Sequence, residues 1–110
     1  MKVYTQFYGE TLITDIGKEL RNIIKTEKIC FKILTGYGST VGVSKSKNAA
    51  LKSLAKMKEE GLIKGYFPGE VKDSLLTSAS PYYESKINYE SIVKRDNDYG
   101  NDGIIFIFVR

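Results

Sequence analysis

Apolar positions change their period several times along the chain, and each change marks an element. Residues 2–8, Lys-Val-Tyr-Thr-Gln-Phe-Tyr, alternate, with Val3, Thr5 and Phe7 on one face and Tyr4, Gln6 and Tyr8 on the other. A period of two in β-forming residues predicts a strand, here ending at Gly9. Leu12, Ile16, Leu20, Ile23 and Ile24 then recur at spacings of three and four. That spacing predicts a helix with one buried stripe, capped by Thr11 or Thr14, whose outer face carries Lys18, Glu19, Arg21, Asn22 and Lys25. Thr26-Glu27-Lys28 makes a tight polar connection to a second strand at 29–34, with Ile29, Phe31 and Ile33 on one face. A loop over 35–45 precedes a second helix at 46–60, striped by Ala50, Leu51, Leu54, Ala55 and Met57. Gly61 stands where a helix C-cap belongs. Residues 62–67 read as a short third strand, stopped by Pro68-Gly69.

Residues 70–100 mix Ser78, Ser80 and Pro81 with Leu75, Leu76, Ile87, Ile92 and Val93. That apolar content is too high for a free linker, so a packed excursion with one or two short helices is expected. Ile104 to Val109 are six apolar residues in a row, the pattern of a strand buried on both faces. The order is β-α-β-α-β, a long connection, then β. It predicts one domain over 1–110: a two-layer α/β sandwich with a mixed four-stranded sheet and two main helices. The second face of the last strand then needs cover, from residues 70–100 or from a second subunit in a homodimer. Internal repeats and low-complexity tracts are absent from the sequence.

Composition narrows the chemistry. The chain has 110 residues, enough for one core, and 42% of them are hydrophobic, as in a folded globular domain. No apolar run approaches the roughly 18 residues that span a bilayer, and Met1 to Gln6 lack a signal peptide's apolar core. A soluble, cytoplasmic protein with no membrane partner is expected. The single Cys30 fits a reducing compartment and excludes an internal disulfide; it reads as a small side chain in or near the core. The sequence contains no histidine, which excludes Ser-His, Cys-His and His-metal sites. No metal or cofactor is called for. Asp96, Asp98 and Asp102 lack the later bidentate Glu of a calcium loop and read as turn residues. The net charge of +4 permits nucleic-acid binding without requiring it.

The candidate chemistry lies between the second strand and the second helix. Thr35-Gly36-Tyr37-Gly38-Ser39-Thr40 follows the strand, and Lys45, Lys47, Lys52, Lys56 and Lys58 crowd the helix. A strand, a glycine turn and a helix start aim backbone N–H groups and a positive helix end at one spot, which suits an anion. Phosphate fits the surrounding lysines. Two readings stay open here. The glycines also relieve crowding at a bend, and the lysines also make a solvated helix face. The turn is no P-loop, because the Gly-Lys-Ser/Thr ending is missing, and no dinucleotide fingerprint, because the third glycine is out of register. Lys45 and Lys47 at a helix N-terminus oppose the macrodipole, a local conflict of the kind that collects at functional sites. Tyr8 and Tyr37 each sit at a strand end beside a glycine, where an exposed ring stacks on a base.

These motifs, in this order, resemble the small MutS-related (Smr) domain. Its members read strand–helix–strand, a His/Thr-Gly-x-Gly loop, a helix, a strand and a final strand. Thr35-Gly36-Tyr37-Gly38-Ser39 is similar to that loop. Ala50-Leu51 to Leu54, and Leu62-Ile63-Lys64 to Phe67-Pro68-Gly69-Glu70, resemble the stretch that follows. Asp102-Gly103-Ile104-Ile105-Phe106 resembles the closing strand. The family's first strand typically ends Asp-Leu-His-Gly, where this chain has Gln6-Phe7-Tyr8-Gly9. Active Smr domains nick DNA or cleave RNA. The resemblance therefore implies a nucleic-acid-binding domain whose catalytic groups are replaced. Its DNA or RNA contacts would come from Tyr8, Thr35, Gly36, Tyr37, Gly38, Ser39, Lys45, Lys47 and Lys52, with no catalytic residue assigned. The alternatives are a nuclease using a carboxylate from elsewhere, such as Glu10, and a protein-interaction module.

Overall fold

The computed structural model describes residues 1–36 and 44–110. Among these, four strands form one mixed sheet: β1 (Val3–Tyr4), β2 (Cys30–Leu34), β3 (Gly65–Pro68) and β4 (Ile104–Phe108). Three α-helices connect them: α1 (Ile16–Ile24), α2 (Lys45–Glu59) and α3 (Tyr83–Val93). The sheet order is β1-β2-β4-β3. β1 runs parallel to β2, with Val3 opposite Lys32. β4 is antiparallel to both neighbours, with Ile107 opposite Phe31 on one side and Tyr66 on the other. The β2–α2–β3 crossover skips one position, and the last strand fills it.

Both faces of the sheet are covered. Phe31, Ile33, Ile105 and Ile107 meet Ile16, Leu20 and Ile23 of α1 and Ala50, Leu54 and Met57 of α2. On the other face, Phe67, Phe106 and Phe108 meet Val93 and Tyr99. There Tyr89 of α3 stacks on Phe108 with ring centroids 4.7 Å apart. The α/β sandwich and the mixed sheet follow the apolar pattern, and the 70–100 excursion itself covers the second face. It supplies α3 and a short 3-10 turn over Gly69–Asp73. α3 lies so close to β3 that a Cβ on Gly65 would sit 2.6 Å from Ser85 Oγ. In return Ser85 accepts the Tyr66 N–H at 3.3 Å, so a free donor on the edge strand is satisfied.

The helix ends follow known chemistry. Ser44 caps α2, its hydroxyl accepting the Lys47 N–H at 3.2 Å. At the other end Gly61 takes φ +80°. The Leu62 N–H reaches Met57 O, and the Gly61 N–H reaches Lys58 O, the paired bonds of a Schellman motif.

Several local expectations are corrected. The first strand has two residues rather than seven, because residues after Tyr4 fold into a turn. Gln6 O accepts from the Glu10 and Thr11 N–H groups and from Thr11 Oγ1, and Gly9 takes φ +85°. Phe7 is buried from that turn, while Val3 is exposed. Thr11 is thus spent on the turn, and neither threonine caps α1, whose N-cap is Asp15 without a side-chain bond. Leu12 and Ile29 lie outside their predicted elements and are exposed, and Ala55 faces solvent. α2 starts at Lys45, and β3 starts at Gly65 rather than at Leu62. Among the described residues no helix is long and apolar enough to cross a membrane.

Candidate functional site

The turn after β1, the end of β2 and the start of α2 converge at one end of the sheet. They border an open cleft lined by Tyr8, Gly9, Leu12, Gly36, Lys45 and Ser46, among others. Buried Phe7 anchors the turn, which leaves the Tyr8 side chain on the surface, about half exposed. Gly36 is locked to the helix start. Its N–H donates to Ser46 Oγ at 3.1 Å, and Ser46 Oγ lies 2.9 Å from Ser44 Oγ. A Cβ on Gly36 would stand 2.8 Å from Ser44 Oγ, so any larger residue would have to displace the capping hydroxyl. Ser44 Oγ takes the Lys47 N–H, so of the first-turn N–H groups those of Lys45 and Ser46 are left without an intrahelical acceptor. The site thus combines N–H donors, two hydroxyls, one lysine and one aromatic ring. It suits an anion beside a flat apolar group.

The structure sorts the other sequence candidates. Thr35 is fully buried, and both its N–H and its hydroxyl donate to Gly103 O, at 2.7 and 3.1 Å. It has no proton left for a phosphate and instead ties β2 to the start of β4. Lys45 is exposed on the cleft. Lys47 points to the opposite side of α2, where it pairs with Glu70 in a second groove with Tyr82 and Asp102. Burial, and then Glu70, raise the Tyr82 pKa above its ordinary value. Lys52 is exposed two turns further along α2 and lines neither cleft. Tyr37, Gly38 and Ser39 lie outside the described residues. Glu10 is exposed on the turn after Gly9 and is not part of the cleft wall. Cys30 is half-buried, and burial raises its thiol pKa.

Ser44 and Ser46 are the site residues that pattern reading missed. Their signal was present: serine is a favoured N-cap, and placing the helix start at 46 hid it. A second missed feature lies on the α3 side of the sheet. Asp96 and Asp98 do shape a turn, since the Asp98 N–H donates to Asp96 Oδ1 at 2.9 Å. They also grip Lys32, at 2.8 and 2.9 Å. Among the described residues, no three His, Cys, Asp or Glu side chains gather as a metal site requires. No family model matches the chain, and neither a curated protein nor a solved structure matches it.

Proposed function

We propose that this chain is a nucleic-acid-binding domain of the Smr type without efficient nuclease activity. The observation that carries the reading is the convergence of Tyr8, Gly36 and Lys45 with Ser44 and Ser46 on one cleft. A phosphate there meets helix-start N–H donors and a lysine, and Tyr8 offers its ring to a neighbouring base. The strand–helix order of the described residues also supports it, since it is the order expected of an Smr domain. The positions occupied by Asp and His in the family are Gln6 and Tyr8 here, so the family's carboxylate and imidazole are both missing.

The test is a binding series with labelled single- and double-stranded DNA and RNA across salt concentration. Log affinity should fall with log salt, by about 0.7 to 0.9 per phosphate contact. Lys45→Ala should flatten the slope by about one contact. Lys47→Ala should flatten it less, because its ammonium is held by Glu70. Gly36→Val should weaken binding by pushing Ser44 off the helix start. Salt-independent binding, or none to any of the four probes, refutes the reading.

A protein-interaction module has one observation in its favour. Leu75 is fully exposed beside Tyr83 and Ile87, an apolar patch on the outer side of α3.

A further inference from the structure

A second basic surface lies on the outer side of α1 and α2, away from the cleft. An open groove between the helices has Lys18, Arg21, Asn22 and Lys25 of α1 and its C-terminal edge on one wall and Lys56 of α2 on the other. Its floor is Gly17 against Ser53, where a Cβ on Gly17 would lie 3.1 Å from Ser53 Oγ. At 3.6 residues per turn the four α1-side positions fall within an arc of roughly 100°, so the cations share one stripe.

Three observations separate this groove from an ordinary solvated helix face. Among the described residues, no acidic side chain lines it. Arg21 reaches out of it to Glu60 at 2.8 Å, while Lys18, Lys25 and Lys56 are exposed and have no ion-pair partner among the described residues. Finally, the chain carries 17 Lys and Arg against 13 Asp and Glu, so no overall acidic excess offsets these three unpaired cations. Clustered like charges repel in the free protein and are relieved by a polyanion.

The spacing fits a repeating anion. Lys45, Lys52 and Lys56 lie within roughly 40° of one another on α2, all exposed. Their row is about 16 Å long at 1.5 Å per residue. At 3.4 Å of duplex axis per phosphate of one strand, a row of that length can follow about five base pairs. The row starts at the cleft and ends at the groove. Among the described residues no aromatic side chain lines the groove, so they offer unstacked bases no platform there.

We propose that the α1/α2 groove is a second nucleic-acid contact that holds the phosphate backbone of a duplex. It would extend the cleft's footprint along α2. The inference rests on the nucleic-acid reading above and adds the surface and the duplex form.

The test uses the triple variant Lys18→Gln, Lys25→Gln, Lys56→Gln, which removes three exposed charges and keeps the fold, as circular dichroism should verify. Its binding to a labelled mixed-sequence DNA duplex is titrated over a salt series, beside wild type and Lys45→Gln. The salt slope should become shallower by about two to three units, at about 0.9 per lost contact. A single strand of the same sequence should bind wild type more weakly than the duplex. An unchanged slope in the triple variant, with a loss in Lys45→Gln, removes the groove and keeps the cleft. A loss in the triple variant alone supports the groove and counts against the cleft. Wild type that ignores the duplex at low salt removes both, including the case in which it takes up phosphatidylserine vesicles instead.

Discussion

Replacing Lys32 with Met tests whether an ion cluster fastens the 94–101 turn to the sheet. The Lys32 ammonium lies 2.8 and 3.0 Å from the two Asp96 carboxylate oxygens and 2.9 Å from Asp98 Oδ2. The Lys32 and Asp96 side chains are 11% and 16% exposed, and Asp98 is 35% exposed. Met keeps the length and the apolar stem but strands two carboxylates. Removing one partner of a buried pair costs about 3–5 kcal/mol. Water reaches Asp98, so the lower end applies, about 3 kcal/mol. At about 2.1 cal/mol/K of unfolding entropy per residue over 110 residues, this lowers Tm by about 13 °C.

The pH dependence has a definite sign. Burial pushes the Lys32 pKa down, but its hydrogen bonds to Asp96 and Asp98 outweigh that and hold it above 10.5. Burial pushes Asp96 up, but the Lys32 and Asp98 N–H bonds hold it below 3.8. The Asp96 contribution is therefore present above its unfolded pKa and is lost as pH falls through the folded one. The Lys32 contribution is present below its unfolded pKa and is lost as pH rises through the folded one. Both are complete between about pH 5 and 9. In Lys32→Met the stranded Asp96 carboxylate is relieved by protonation, so the gap to wild type should narrow in acid. Urea unfolding near neutral pH and again below about pH 4 measures both effects. A neutral-pH loss under about 0.5 kcal/mol, or a gap that does not narrow in acid, refutes the reasoning.

Gly69→Ala should cost about 2–3 kcal/mol. Its Cβ would meet Asn101 O at 2.3 Å and Asp98 O at 3.0 Å, backbone atoms that cannot rotate away, and an unchanged urea midpoint would contradict this. Ser44→Ala should lose about 1 kcal/mol by thermal unfolding while Ser44→Asp retains the cap; equal losses in both would dismiss the cap. If the chain is of the proposed type, the purified protein should cleave labelled DNA or RNA little, with or without magnesium, since an acid–base pair worth about 10² to 10⁴ in rate would be missing. Gln6→Asp with Tyr8→His should raise cleavage, whereas robust cleavage by the unmodified chain, abolished by a point substitution, would make it a nuclease.

Elements whose pattern records burial were legible in the sequence. Ile104 to Phe108 could only be a strand covered twice, and the α1 and α2 stripes named their core residues. The β1 turn was not legible, because alternation over 3–7 is equally served by a hydrogen-bonded turn that buries Phe7 alone. Thr35 misled for a related reason. Its place in a glycine motif says nothing about direction, and its partner Gly103 lies 68 residues away. The Lys32 cluster was hidden because a lysine inside a strand reads as solvent-facing until the acids that meet it are placed in space. Tyr8, Gly36 and Lys45 were placed on one cleft by the strand–turn–helix order, whereas Lys47 lies on the opposite side of α2 and Lys52, on the side of Lys45, lies two turns too far along the helix to reach it.

The central position of β4 has a consequence for how the chain becomes a protein as it is made. β2 and β3 never touch as ladder partners; each pairs with β4, which is made after both. Until residues 104–108 have been synthesised, β3 has no ladder partner and the aromatic cluster on the α3 side lacks Phe106 and Phe108. A nascent chain therefore holds its earlier segments in waiting, exposed to proteases and chaperones, and closes in one late step of long-range pairing. A ribosome stalled before Ile104 would release an unfinished sheet rather than a smaller stable domain.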